Sequence, residues 1–347
     1  MSKKRTYRVP FTWSDISTYR GELFGASILS VVLYHYFAIF LNTEAPNTVI
    51  RILTKFYNSA VGSVGVDIFI ILSGFGLYYS LSRREKLSAF YRKRVYRVVL
   101  PYLVCGLVYW IIMDFFFFHE TFAKFLLDYT LITFWISEAS TFWYISFICL
   151  LYILSPFVFW LVNDRRRYLF ALICAFSMTI LCYRFAYGVF DNIEMALQRV
   201  PYFLIGMWLG RRSEEMGDKE SDVPLWVICV ILFAPIAKLI VGRMDFPLGR
   251  SFYGYYGIFL MFAYVMLRKA VPAKWGKLFS LFSLLGKYSL EIYIAHTMVK
   301  NIISKLGFSL KNPLIYMMHI IIFIPIVLCI SQMGNLKRRC NKQGTGI

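Results

Sequence analysis

Residues 141–162 read TFWYISFICLLYILSPFVFWLV, and no charged side chain interrupts them. At 1.5 Å of rise per residue, such a stretch reaches roughly 33 Å, enough to cross a hydrocarbon core about 30 Å thick. Lipid offers the backbone no hydrogen-bond partner, so a run of this kind is read as a helix that satisfies its own amides. Working outward, similar apolar runs place further spans near 22–42, 61–80, 98–118, 168–187, 200–210, 223–241, 252–268, 279–299 and 313–333. The run at 200–210 is too short to cross alone, and is expected to begin earlier, near Asn192, or to re-enter. The expected fold class is all-α: a polytopic integral membrane helix bundle with about ten transmembrane helices. Its expected division is a cytoplasmic N-terminal segment (1–21), a transmembrane domain (22–333) and a cytoplasmic tail (334–347).

Composition agrees: apolar types make up 59% of the 347 residues and charged types 16%, and they fall in blocks. A formal charge of +19 raises the question of a nucleic-acid partner. The basic residues sit between apolar blocks, however, where topology explains them and no nucleic acid is implied. With the N-terminus inside, 26 of the 38 Lys and Arg fall in inside segments, so both termini are expected to be cytoplasmic. The basic start MSKKR precedes an apolar block that carries His35 and lacks a small-residue cleavage site, which reads as a retained anchor. Seven cysteines without CxxC spacing give no disulfide or zinc framework, and no metal is expected.

Ionisable groups inside apolar runs are functional candidates, because burying each without a partner costs several kcal/mol. His35 lies about 13 residues beyond Glu22, roughly 20 Å into the first span. Asp67 enters the second span from the other side, and His296 lies near the outer end of the ninth. The three are expected to converge in the outer half of the membrane, with His35 as base, and with Asp67 and His296 either assisting it or serving as helix-packing hydrogen bonds. Lys287 and Glu291, spaced i, i+4, read as a neutralising pair, with acceptor binding the other role open to Glu291. His119 and His319 read as structural.

At the entry to the third span, FYRKRVYRVVLPY (90–102) presents Arg92, Lys93, Arg94 and Arg97. Arg94 and Arg97 share a helix face, and guanidinium forks suit phosphate oxygens; attraction to anionic membrane lipid is the competing reading. Trp143 and Tyr144 read as an interface belt or as substrate-binding groups, and Arg199 as a partner for an anionic intermediate or a sugar.

Taken in order, LFGASILSVVLYHY (23–36), VGVDIFIILSGFGL (64–77), FYRKRVYRVVLP (90–101), FWYISFICLLYILSP (142–156), RVPYFLIGMWLG (199–210) and LGKYSLEIYIAH (285–296) resemble the bacterial acyltransferase type 3 family of membrane proteins. The resemblance implies transfer of an acyl group, usually acetyl from acetyl-CoA, to a hydroxyl of a glycan or glycolipid at the outer face of the bacterial inner membrane. It implies that His35 is the family's first-span histidine and that Arg94 and Arg97, with Arg92 beside them, hold the acyl-CoA. Many members carry an arginine eleven residues before the histidine; here that position is Phe24, and Arg20 or Glu22 is expected to fill the role. A transporter or flippase for a lipid-linked sugar, and a glycan polymerase or ligase, are the competing classes. The first predicts internal repeats and the second a large arginine-rich outer loop; neither is evident.

Overall fold

In a computed structural model of the protein, residues 11–40, 47–57, 64–84, 86–137, 141–186, 191–221, 249–272 and 275–343 are described. The span expected at 223–241 lies outside them. The principal helices are α1 (Arg20–Ala38), α2 (Val64–Ser82), α3 (Leu87–Phe117), α4 (Phe122–Tyr129), α5 (Trp143–Val162), α6 (Arg165–Ala186), α7 (Asp191–Leu197), α8 (Val200–Met216), α9 (Gly249–Ala270), α10 (Gly276–Lys287), α11 (Ser289–Lys305) and α12 (Pro313–Gln343). One two-residue antiparallel bridge, Phe11 with Ser221 and Thr12 with Glu220, ties the start of the chain to the end of α8. The architecture is therefore helical. Among the described residues five helices are long and apolar enough to cross a membrane: α1, α2, α3, α5 and the first 20 residues of α12.

Three expectations change. The run at 279–299 is not one helix: α10 ends at Lys287, Tyr288 leaves the helical region (φ −107°, ψ 15°), and α11 begins at Ser289. The short sixth span does extend back to Asp191, but as a separate turn, α7; Arg199 precedes α8 and Pro201 lies in its first turn. Proline lacks an N–H and is best tolerated in the first turn, where the helix has no donor to lose, which fits a new helix starting there. The third span starts earlier than expected and is interrupted by π-turns at Val95–Val99 and Ile111–Phe117. Pro101 cannot donate to the carbonyl of Arg97, and the turn before it opens accordingly.

Small residues set the closest approaches. A Cβ on Gly206 of α8 would lie 2.1 Å from the carbonyl oxygen of Ile71 in α2, and one on Gly25 of α1 would lie 1.8 Å from that of Phe282 in α10. Where apolar side chains gain little by leaving lipid, such backbone contact is a main source of helix association. These contacts set α2 against α8 and α1 against α10. Asp15 with Lys269 (2.6 Å) and Glu22 with Arg268 (3.1 Å) then clamp the start of α1 to the end of α9.

Candidate active site

Between α1, α2, α3, α5, α10 and α11 lies a cavity of about 1040 Å³. Six cations line one part of it: Arg20, Arg83, Lys93, Arg94, Arg97 and Lys287. Glu291 is the carboxylate among its lining residues, so the excess of charge suits an anion with several negative oxygens. Away from these cations the walls become apolar and aromatic, with Val31, Val66, Phe69, Tyr144 and Tyr293. Tyr144 and Tyr293 meet edge to face at 5.5 Å.

Just beyond that aromatic part stands a pair of imidazoles. His35 follows Val31 by four residues on α1 and His296 follows Tyr293 by three on α11, displacements of roughly 6 and 4.5 Å along the helices. His35 Nδ1 and His296 Nε2 are 2.8 Å apart, with ring planes inclined by only 5°. One of the two nitrogens carries the shared proton; the geometry fixes the pairing, not which ring holds it. Nε2 of His35 stands outside the pair: it is an acceptor when His35 Nδ1 carries the shared proton and a donor when His296 Nε2 does. Behind His296, which is fully buried, the His319 ring of α12 packs at 4.8 Å. Its Nε2–H donates to the His296 carbonyl oxygen over 3.3 Å. Lys300 lies one helical turn from His296 on the same face.

Asp67 does not orient His35. Gly65, two residues before it, abuts Ser27 and Val31 of α1, which sets Asp67 at least one turn short of the histidine. Its carboxylate instead meets Arg199 (Oδ1 to Nε, 2.9 Å), both side chains being buried. Trp143 covers the Arg199 guanidinium at 4.9 Å. The reason is topological: α2 packs along α8, whereas His35 looks toward α11, and a buried guanidinium demands a carboxylate. His296, not Asp67, occupies the position against His35. Trp143 and Arg199 belong to that separate cluster, while Tyr144, the next residue, turns into the cavity. The turn is made at Phe142, which caps α5 in the left-handed region (φ 56°) and is completely buried among Tyr102, Tyr109 and Trp110.

Glu291 is not paired with Lys287. The break at Tyr288 puts them on different helices and abolishes the i, i+4 register; Arg97 takes both partners instead, approaching Glu291 Oε1 at 3.4 Å and donating to the Lys287 carbonyl over 3.0 Å. Arg94 lies over the Phe90 ring at 3.9 Å and donates to the Phe90 carbonyl over 3.0 Å. Arg92 is exposed and is not among the residues lining the cavity.

Arg20 and Glu22 part company. Glu22 is engaged by Arg268 and by the hydroxyl of Tyr264 (3.0 Å). Arg20 lines the cavity with Phe24, its guanidinium 5.2 Å from that ring and filling the space a Cβ on Gly76 would occupy, 2.1 Å from Nη2. His319, expected to be structural, packs against His296 from another helix, a partnership that spacing along one helix does not carry; the i, i+4 spacing of His296 and Lys300 is the part of this cluster that the sequence shows. Among the described residues no group of three or more His, Cys, Asp or Glu is placed to hold a metal ion.

These features define a class: a helical, membrane-type bundle whose polar chemistry faces an internal cavity ending near paired histidines. The particular family follows from comparison, since a family model described as an acyltransferase domain matches residues 25–334. The chain belongs to that family, the acyltransferase type 3 group which its motifs resemble. Comparison with curated proteins and with solved structures gave no significant match.

Proposed function

We propose that the protein is a membrane O-acyltransferase that moves an acyl group, acetyl in the first instance, from acyl-CoA to a hydroxyl of a cell-surface polysaccharide or lipid-linked sugar. The observation that carries this reading is the course of the large cavity, from a cluster of cations to within about one helical turn of His35 and His296. A donor whose phosphates rest on Arg94, Arg97 and Arg20 extends its pantetheine arm roughly 15–20 Å along such a path, a length comparable to the helix rise from Arg20 to His35. Tyr144 and Tyr293 flank the thioester.

At the histidines the acceptor oxygen attacks the thioester carbonyl carbon, the new C–O bond forms and the C–S bond breaks. With His35 protonated at Nδ1 and donating to His296 Nε2, His35 Nε2 takes the hydroxyl proton and returns it to the departing thiolate, giving free coenzyme A. His296 positions the imidazole through Nδ1. In this reading the cation-lined end faces the cytoplasm of a bacterial cell, both termini lie on that side of the inner membrane, and the domain of 22–333 crosses it about ten times, with the basic segments held inside.

The test is transfer of radiolabelled acetyl from acetyl-CoA to glycan or glycolipid in membranes carrying the protein, beside the His35→Ala variant at equal abundance. Label that depends on His35 supports the assignment. A fully active variant refutes it.

A further inference from the structure

A second cavity, of about 370 Å³, lies on the other side of the histidines, between the end of α3, α4 and the end of α11. Asn301, on its wall, is five residues past His296, roughly 7.5 Å further along α11. The large cavity stops about one turn short of the imidazoles, and this one begins a turn and a half beyond them. The histidine pair stands between the two.

The lining is a mixture of rings and hydrogen-bonding groups. Tyr109, Trp110 and Phe118 supply aromatic faces, and Asn301 Nδ2 donates to the Tyr109 hydroxyl over 3.0 Å. Asp114 is 1% exposed, and its Oδ2 has no hydrogen-bond partner among the described residues. A buried carboxylate oxygen without a donor costs the full desolvation of that atom, and a ligand hydroxyl or amide N–H offsets it. Of the other lining charges, Lys124 holds Asp128 at 2.6 Å, with Thr133 donating to the same carboxylate at 2.6 Å, the Lys305 ammonium lies 4.1 Å over Phe118, and Glu120 is exposed. The uncommitted buried charge is therefore negative.

Resting on the acyltransferase reading, we propose that this cavity holds the acceptor: a neutral or amino-bearing sugar ring whose hydroxyls donate to Asp114, with one hydroxyl directed along α11 toward His35. The carboxylate of Asp114 selects against uronic acids and phosphorylated sugars, because a second anion beside it is repelled and leaves both unsatisfied. At the small end of the usual 300–1,000 Å³ range for ligand sites, the volume admits one or two rings and not a longer glycan segment. Soluble oligosaccharides and lipid-linked sugars offer the same ring chemistry, so the source is settled by which of them is acylated.

The experiment uses the full chain in membranes with saturating acetyl-CoA. Initial rates are measured against neutral, N-acetylamino and uronic oligosaccharides, free and lipid-linked, for the parent, Asp114→Asn, Asn301→Ala and the lipid-facing control Phe116→Ala. Binding of radiolabelled acetyl-CoA is measured on each. The expected result is a rise in acceptor KM of roughly tenfold for Asp114→Asn and Asn301→Ala, the size of one charge-assisted or neutral hydrogen bond. Donor binding is unchanged, Phe116→Ala behaves as the parent, and the parent prefers neutral over uronic acceptors. Unchanged acceptor KM in both variants, or a parent that acylates uronic sugars best, overturns the assignment while leaving the transferase intact. A parent that binds acetyl-CoA and transfers to no acceptor overturns the transferase reading and this site with it.

Discussion

Two places in this bundle hold ionisable groups where apolar residues are the rule, and they solve the problem in opposite ways. Between α2 and α8, Asp67 and Arg199 meet at 2.9 Å under Trp143, each neutralising the other in a closed contact. Between α1 and α11, His35 and His296 share a hydrogen bond of 2.8 Å, and a large cavity ends one turn away. Opposite charges in direct contact cancel; two imidazoles joined through one nitrogen each leave a second nitrogen on each. The first arrangement is a fastening; the second, under the proposed function, is equipment for moving a proton.

Substitution separates them. The largest effect falls on His35: replacement by alanine is expected to lower the acyl-transfer rate by about 10³-fold or more, the span of a lost general base, with the detergent-solubilised protein melting as the parent does. Asp67→Ala belongs to the other kind. It strands a buried guanidinium and is expected to destabilise the protein by about 3–5 kcal/mol, read as a lowered thermal midpoint. The double variant Asp67→Leu with Arg199→Met recovers most of that stability and keeps the activity per folded molecule. Should Asp67→Ala keep its melting temperature and lose transfer, the division drawn between the two places is wrong.

A finer test addresses His296. With glutamine there, kcat is expected to fall roughly tenfold to a hundredfold and the pH–rate profile to change shape, since the group that fixes the tautomer of His35 is altered. A parent-like profile would make His296 a packing residue. The smallest effect is expected at the cation-lined end: Arg94→Ala raises the KM for acetyl-CoA by roughly tenfold at unchanged kcat, and added salt narrows the gap between variant and parent.

Much of this was legible in the chain itself. Runs such as 141–162 announce helices in lipid because the backbone has no alternative there, and the motifs carrying His35, Arg94 and Arg97 stand out by charge and order. What the sequence withheld was partnership. It offered Asp67 to His35 and Lys287 to Glu291, both reasonable by depth or spacing, and the structure reassigns both for reasons of register: a glycine-set approach of α2 to α1, and a helix break at Tyr288. Arg20 took its place in the cavity only once Gly76, 56 positions later, was seen to make room for it. Spacing along one helix is a property of the sequence; contact across two is a property of the packing.

The close approach of α1 and α10 carries one more implication. Gly21 and Gly286 both line the large cavity, and a Cβ on Gly286 would lie 1.9 Å from the Gly21 carbonyl oxygen. At that seam the wall is bare main chain: a side chain on Gly286 would strike it, whereas a Cβ on Gly21 would meet no atom within 4 Å. Under the proposed function, the bore of the cavity is set by what stands at Gly21 and, facing it, at Ser73, Tyr144 and Tyr152, and substitutions there are expected to change the choice among donors with longer or bulkier acyl chains.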